Sequence, residues 1–302
     1  MNRFVSVGRA NPLAAACGAA LWITAAIFLA CGIVGSAAAP LVTWMQTLGT
    51  AIAFWCGASV CLWRFRHSDP APPWGWAAAA CALWGYANTY YAIVLAPGVA
   101  PIPSPLDVGY ALFPVALGCA LVAFARSRSV QLSRAMLLDA GIVALGTAAL
   151  ATAAMFGAAG AQTESLASVI TTILYPAEDI ILLSVLVGLA SIFGWRLGHR
   201  FALFGLGIAA ITAADSLAFS DAFGGGTIEG AWTNLGWTAG IALIALAALW
   251  DDAGSAPETA RSRSSQSLIT VPIAFGLLAI ALLVLLRPLG LPTAVLPFQR
   301  WR

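Results

Sequence analysis

Lysine is absent from this 302-residue sequence, histidine occurs twice, and only 9% of the residues are charged. Without lysine there is no phosphate-loop or kinase lysine and no Schiff base to retinal or pyridoxal phosphate. The two histidines, His67 and His199, stand beside arginines in polar breaks. An intramembrane haem site or a rhomboid-type protease would need a histidine within an apolar segment. Soluble domains carry about 25% charged residues. Here 61% of the residues are hydrophobic and the mean hydropathy is +0.91, so polar groups are too few to cover a soluble surface. This is the composition of a multi-pass membrane protein.

The remaining charge is balanced. Fourteen basic residues, all arginine, face 12 acidic ones, for a net charge of +2. That balance gives no case for nucleic-acid binding. Six cysteines, Cys17, Cys31, Cys56, Cys61, Cys81 and Cys119, fall inside apolar runs, where they read as small hydrophobes. None has the spacing of a metal site or a disulfide framework. The sequence implies neither a metal nor a cofactor.

A spanning helix needs about 20 mostly apolar residues. Nine segments qualify, near 13–36, 41–63, 74–96, 106–125, 135–158, 169–194, 201–219, 233–250 and 268–286. Turn chemistry separates them, as at Asp69-Pro70, the Pro-rich 97–105 and Gly224-Gly225-Gly226. The longest polar stretch, 251–267, reads as a loop. The expected fold class is all-α: one polytopic transmembrane helix bundle over 1–302, with no soluble domain.

Arginine placement sets the expected orientation. Arg3 and Arg9 precede the first segment, and Arg64 and Arg66 follow the second. Arg126, Arg128 and Arg134 lie between the fourth and fifth, Arg196 and Arg200 between the sixth and seventh, and Arg261 and Arg263 before the ninth. The alternate breaks contain no arginine. This alternation predicts a cytoplasmic N-terminus. The first segment has signal-peptide flanks, with Ala37-Ala38-Ala39 at its end, but its apolar run exceeds the 7–15 residues usual for a signal. It is expected to be retained as a helix.

Ionisable residues inside a spanning helix are costly and by default point to function. With this orientation, five segments carry polar residues toward the outer face. Asn88, Tyr90 and Tyr91 sit in the outer half of the third. Asp107 and Tyr110 open the fourth, one turn apart on one face. The sixth carries Tyr175-Pro176-Ala177-Glu178-Asp179, which puts Asp179 about 15 Å below the surface at 1.5 Å per residue. Asp215 lies about one turn from the outer end of the seventh, and Asn234 and Trp237 start the eighth. Tyr175 and Asp179 share a face, so a phenol and a carboxylate can address one cavity. Pro176 removes a backbone donor there, which predicts a kink and a freed carbonyl. No intramembrane Arg or Lys neutralises Glu178 and Asp179. The bland reading of Asp107, Asp215, Asn234 and Trp237 is interfacial hydration and helix packing. Asp139 reads as a structural partner of Arg134.

Four short motifs in order add a resemblance. They are Pro103-Ser104-Pro105-Leu106-Asp107-Val108-Gly109-Tyr110, Leu138-Asp139-Ala140-Gly141-Ile142, Tyr175-Pro176 with Asp179, and Asn234-Leu235-Gly236-Trp237. From about the third segment onward, the chain resembles the multi-pass N-terminal membrane region of bacterial signalling proteins with GGDEF or GGDEF–EAL output modules. Those modules make or degrade cyclic di-GMP. Glu178 stands where that family often has a small residue, and Asn234 where it often has Asp. No Gly-Gly-Asp-Glu-Phe or Glu-Ala-Leu signature occurs in this sequence. Arg287, Arg300 and Arg302 would fall on the outward side after a ninth span. A reading frame truncated or shifted before the output domain is one explanation, and a standalone relic or subunit is another.

The resemblance implies a non-enzymatic sensor or scaffold module in a bacterial plasma membrane. Its partners would be the lipid bilayer, a small or amphipathic ligand and, in one arrangement, a second copy as a homodimer. The candidate ligand residues are Asp107, Tyr110, Tyr175, Pro176, Glu178, Asp179, Asp215, Asn234 and Trp237. The competing reading is a small secondary transporter with Glu178 and Asp179 coupling protons beside a broken helix. Against it stand the lack of a convincing internal repeat and of a polar pathway through the cytoplasmic halves. An intramembrane enzyme is the weakest reading, because hydrolysis needs a nucleophile with a base, or metal ligands.

Overall fold

The computed structural model describes residues 11–35, 39–68, 72–95, 104–127, 146, 166–193, 198–224 and 230–250. Among these residues every regular element is helical, with no strand. In hydrocarbon a backbone must satisfy its own hydrogen bonds, and the helix does so within one segment.

Helix α1 (Pro12–Val34) starts where Asn11 accepts the backbone N–H groups of Leu13 and Ala14 at 3.0 and 3.2 Å. Pro12 at the first helical position loses no bond there. Gly35, at φ 75°, closes the helix in a conformation that a side chain would strain. A short helix α2 (Ala39–Trp44) continues through a π-helical turn, Met45–Gly49, into α3 (Thr50–His67). Arg64, Arg66 and His67 fill the last turn of α3, where the helix dipole favours cations. Helix α4 (Pro72–Tyr90) ends in a second π turn, Tyr91–Leu95. Helices α5 (Pro105–Ser127), α6 (Leu166–Ile192), α7 (His199–Gly224) and α8 (Gly230–Leu249) complete the described chain.

Seven of the nine expected segments therefore coincide with helices, displaced by a few residues at their ends. The other two, 135–158 and 268–286, lie outside the described residues, Gly146 apart, as does the Arg134–Asp139 pair. Four helical runs, Pro12–Val34, Pro105–Ser127, His199–Ala218 and Gly230–Leu249, are long and apolar enough to cross a membrane. Their outward faces are apolar as well, with Leu13, Ile33, Val108 and Leu206 all more than half exposed. A water-soluble bundle would put polar side chains there. The protein is a membrane-embedded α-helical bundle.

The long helices close on themselves. From α3 to α8 each packs beside the next, α8 returns against α1, and α1 packs on α3. Helix α8 also touches α3 across the interior. Small residues permit the closest approaches. A Cβ on Gly207 of α7 would stand 2.6 Å from the Gly240 carbonyl oxygen of α8. One on Gly109 of α5 would stand 2.6 Å from the Leu83 carbonyl oxygen of α4.

Charge is sorted along the bundle. The arginine-bearing ends meet: Phe124 of α5 packs edge-on to Trp74 of α4 at 5.0 Å and to Phe201 of α7 at 6.2 Å, and Arg200 Nε donates to the Trp250 carbonyl at 2.9 Å. All four described arginines, Arg64, Arg66, Arg126 and Arg200, belong to these ends. Of the acids, Asp107 opens α5 at the opposite end and Asp215 lies in the half of α7 away from Arg200, whereas Glu178 and Asp179 stand at the middle of α6.

Candidate functional site

The acid end begins with the start of α5. In Ser104-Pro105-Leu106-Asp107, the Asp107 N–H donates to the Ser104 carbonyl at 3.0 Å, and the Ser104 N–H donates back to Asp107 Oδ2 at 2.6 Å. This is half of a capping box with Pro at the first helical position. It fixes the Asp107 carboxylate. Its other oxygen, Oδ1, accepts the Tyr175 hydroxyl of α6, which joins α5 to α6.

An aromatic row continues inward from that bond. Tyr175 meets Tyr110 edge-on at 6.2 Å, and Tyr110 meets Trp84 of α4 at 5.3 Å. Trp84 lies between Phe54, stacked at 4.9 Å, and Phe113, edge-on at 4.4 Å. It also reaches Trp237 of α8 at 5.7 Å. Edge-to-face pairs at these separations contribute about 0.5–1.5 kcal/mol beyond their burial. Trp237 Nε1 then donates to Asp215 Oδ1 of α7 at 2.8 Å. Aromatic rings on α4, α5, α6 and α8 thus link two carboxylates, Asp107 of α5 and Asp215 of α7.

A second strand of polar contacts closes the arrangement between α6 and α7. Thr212, one turn before Asp215, donates to Asp179 Oδ1 at 3.4 Å. Asp179 is 6% exposed and lies within electrostatic reach of both Asp215 and Glu178. The Glu178 Oε2 atom is buried with no hydrogen-bond partner. No Arg belongs to this end among the described residues, so three carboxyl groups, Glu178, Asp179 and Asp215, share one region without a protein cation.

Of the sequence-predicted residues, Asp107, Tyr110, Tyr175, Asp179, Asp215 and Trp237 are thus joined, and Glu178 lies beside Asp179. Tyr175 and Asp179 do share a face of α6, but they part to different neighbours, Tyr175 to α5 and Asp179 to α7. Asn234 joins a separate pair: Thr50 Oγ1 of α3 donates to its Oδ1 at 2.8 Å, and its Nδ2 donates to the Gly230 carbonyl. Helix α6 runs on through Pro176. Asn88 is buried and donates within its own helix to the Trp84 carbonyl at 3.1 Å.

Sequence reading passed over Trp84, Thr212 and Pro114. Thr212 could have been found from its place three residues before Asp215, on the same face. Trp84 likewise precedes Asn88 by one turn. Pro114 sits inside α5 and cannot bond the Tyr110 carbonyl four residues back, so it frees an acceptor beside the site. Among the described residues no group of three or more His, Cys, Asp or Glu side chains could hold a metal ion. No family model matches the chain, and neither a curated protein nor a solved structure matches it.

Proposed function

We propose that this chain is a non-enzymatic sensor or scaffold module of a bacterial plasma membrane. It has about nine spanning helices, its N-terminus is cytoplasmic, and it works like the membrane region of the GGDEF-type signalling proteins that it resembles. The acid end faces outward and takes a small or amphipathic ligand. The observation that carries this reading is the interhelical network from Asp107 through Tyr175, Tyr110, Trp84 and Trp237 to Asp215.

Five helices, α4 to α8, meet in that network at single side-chain contacts. A ligand that competes for one contact changes the relative stability of two helix packings. Ligands shift conformations only through such a difference in affinity. In a longer protein of the resembled kind, the shift would pass along α6 and α7 to the cytoplasmic side. A homodimer would give the shift a second interface to act on.

The test uses octyl amphiphiles that differ only in headgroup: amine, carboxylate and alcohol. At least one headgroup raises the thermal midpoint of the wild type in detergent above the others, and Asp179→Asn abolishes that selectivity. Equal shifts for all headgroups, or an unchanged selective shift in Asp179→Asn, would overturn the reading.

One observation favours proton-coupled transport as the second reading, namely the partnerless Glu178 oxygen beside Asp179 and Asp215. Gradient-driven solute uptake in proteoliposomes, lost in a Glu178→Gln, Asp179→Asn double variant, would decide for it against the sensor.

A further inference from the structure

The four described arginines differ in what surrounds them. Arg64 is buried, and Arg200 is engaged with the Trp250 carbonyl at 2.9 Å. Arg66 and Arg126 are exposed, and each extends an apolar stripe on the outside of the bundle. On α3, Trp55 and Leu62 are exposed, and Arg66 follows Leu62 by one turn on the same face. On α5, Leu112 and Val115 are exposed, and Arg126 stands about three turns beyond Val115 on its face. In a membrane-embedded bundle these stripes meet acyl chains. An arginine at the end of such a stripe carries its guanidinium to the headgroup level.

Helix α4 packs against both α3 and α5, and its first turns lie between the two arginine-bearing ends. Trp74 points inward, edge-on to Phe124 of α5 at 5.0 Å and to Phe204 of α7 at 6.3 Å. Gly75 turns toward α3, where a Cβ would stand 3.0 Å from the Phe65 ring. Trp76 comes next, about 200° round the axis from Trp74, and therefore points away from the interior. It is 47% exposed. Helix α3 contains no acid, and the acid of α5, Asp107, stands in its first turn at the other end.

Two exposed guanidinium groups, an outward indole between them and apolar stripes running away from them match one kind of molecule. Guanidinium pairs with phosphate, tryptophan favours the membrane interface, and the stripes take acyl chains. Two cations without a nearby acid on their own helices favour a headgroup of net negative charge over a zwitterionic one.

We propose that the lipid-facing side of α3, α4 and α5 holds an anionic phospholipid, with Arg66 and Arg126 flanking its phosphate headgroup and Trp76 between them. The bound lipid bridges three helices that carry Phe54, Trp84 and Tyr110 of the aromatic row at their other ends. The site lies at the arginine end and does not depend on the ligand reading of the acid end.

The experiment takes the full chain in a neutral detergent and adds dioleoylphosphatidylglycerol, dioleoylphosphatidylcholine or water-soluble glycerol phosphate at equal concentration. A lipid that binds the folded bundle raises its thermal midpoint. Phosphatidylglycerol raises it by several degrees more than phosphatidylcholine does, and glycerol phosphate leaves it unchanged. Arg66→Gln and Arg126→Gln each reduce the difference between the two lipids, and the double variant abolishes it. Arg261→Gln, in the polar stretch 251–267, removes the same charge and leaves the difference intact. Each difference is read within one variant, so a change in basal stability cancels. Equal shifts for the two lipids, or a glycerol phosphate shift as large as that of phosphatidylglycerol, would overturn the proposal. So would an undiminished difference in the double variant, or an equal loss in Arg261→Gln.

Discussion

Gly207→Ala lowers the thermal midpoint by several degrees, whereas Gly118→Ala leaves it unchanged or raises it slightly. Both add one methyl group to a helix. At Gly207 that methyl would stand 2.6 Å from the Gly240 carbonyl oxygen and 3.3 Å from the Ile244 nitrogen, both backbone atoms of α8. Backbone cannot rotate away as a flexible side chain does, so α7 and α8 must separate. Overpacking of this kind costs about 1–3 kcal/mol. At Gly118 the methyl meets nothing within 4 Å, and alanine is the better helix former by about 1 kcal/mol. The contact between α7 and α8 brings Trp237 to Asp215, so Gly207→Ala should also weaken headgroup selectivity. A pair of melting curves in one detergent checks the contrast, and equal midpoints for the two variants would refute the crossing.

Asp107→Ala has the second large effect, because one carboxylate serves two donors. Its loss leaves the Ser104 N–H and the Tyr175 hydroxyl without their acceptor. Each donor left unpaired in a buried place costs about 1–3 kcal/mol. Asp107→Asn keeps one carbonyl oxygen and falls between alanine and wild type. Tyr175→Phe removes only the bond to α6 and leaves the start of α5 intact. The expected order of midpoints is wild type, Tyr175→Phe, Asp107→Asn, Asp107→Ala. Thermal melts monitored by far-ultraviolet circular dichroism read that order, and a Tyr175→Phe variant less stable than Asp107→Ala would contradict it.

Much of this architecture is legible in the sequence, for reasons that differ by feature. Hydropathy located the seven long described helices because a spanning segment must be apolar along its whole length. Arginine placement anticipated the sorting of charge, since α3, α5 and α7 carry their arginines at ends that meet. Helical spacing puts Tyr175 and Asp179 on one face. It did not foresee their parting, because residues four apart still differ by about 40° around the axis. That offset is enough to aim one at α5 and the other at α7.

Other features leave no trace in composition. The π turns at Met45–Gly49 and Tyr91–Leu95 follow the α-helices before them with no intervening residue, so no break marks them. Trp84 looks like any interior tryptophan until the fold places four rings about it. Asn234 and Thr50 meet only because α8 packs on α3. Contacts between segments distant in sequence depend on which helices become neighbours, and one sequence alone does not state that.

An outward-facing ligand site requires the acid end to meet the outer side of the membrane. Cysteine placed at Pro105, at the start of α5, marks that end, and cysteine placed at His67, in the last turn of α3, marks the arginine end. Both positions are exposed. A membrane-impermeant maleimide applied to intact cells should label Pro105→Cys at once and His67→Cys only after permeabilisation. Labelling of His67→Cys in intact cells, with Pro105→Cys protected, would place the acid end inside and contradict an outward-facing ligand site.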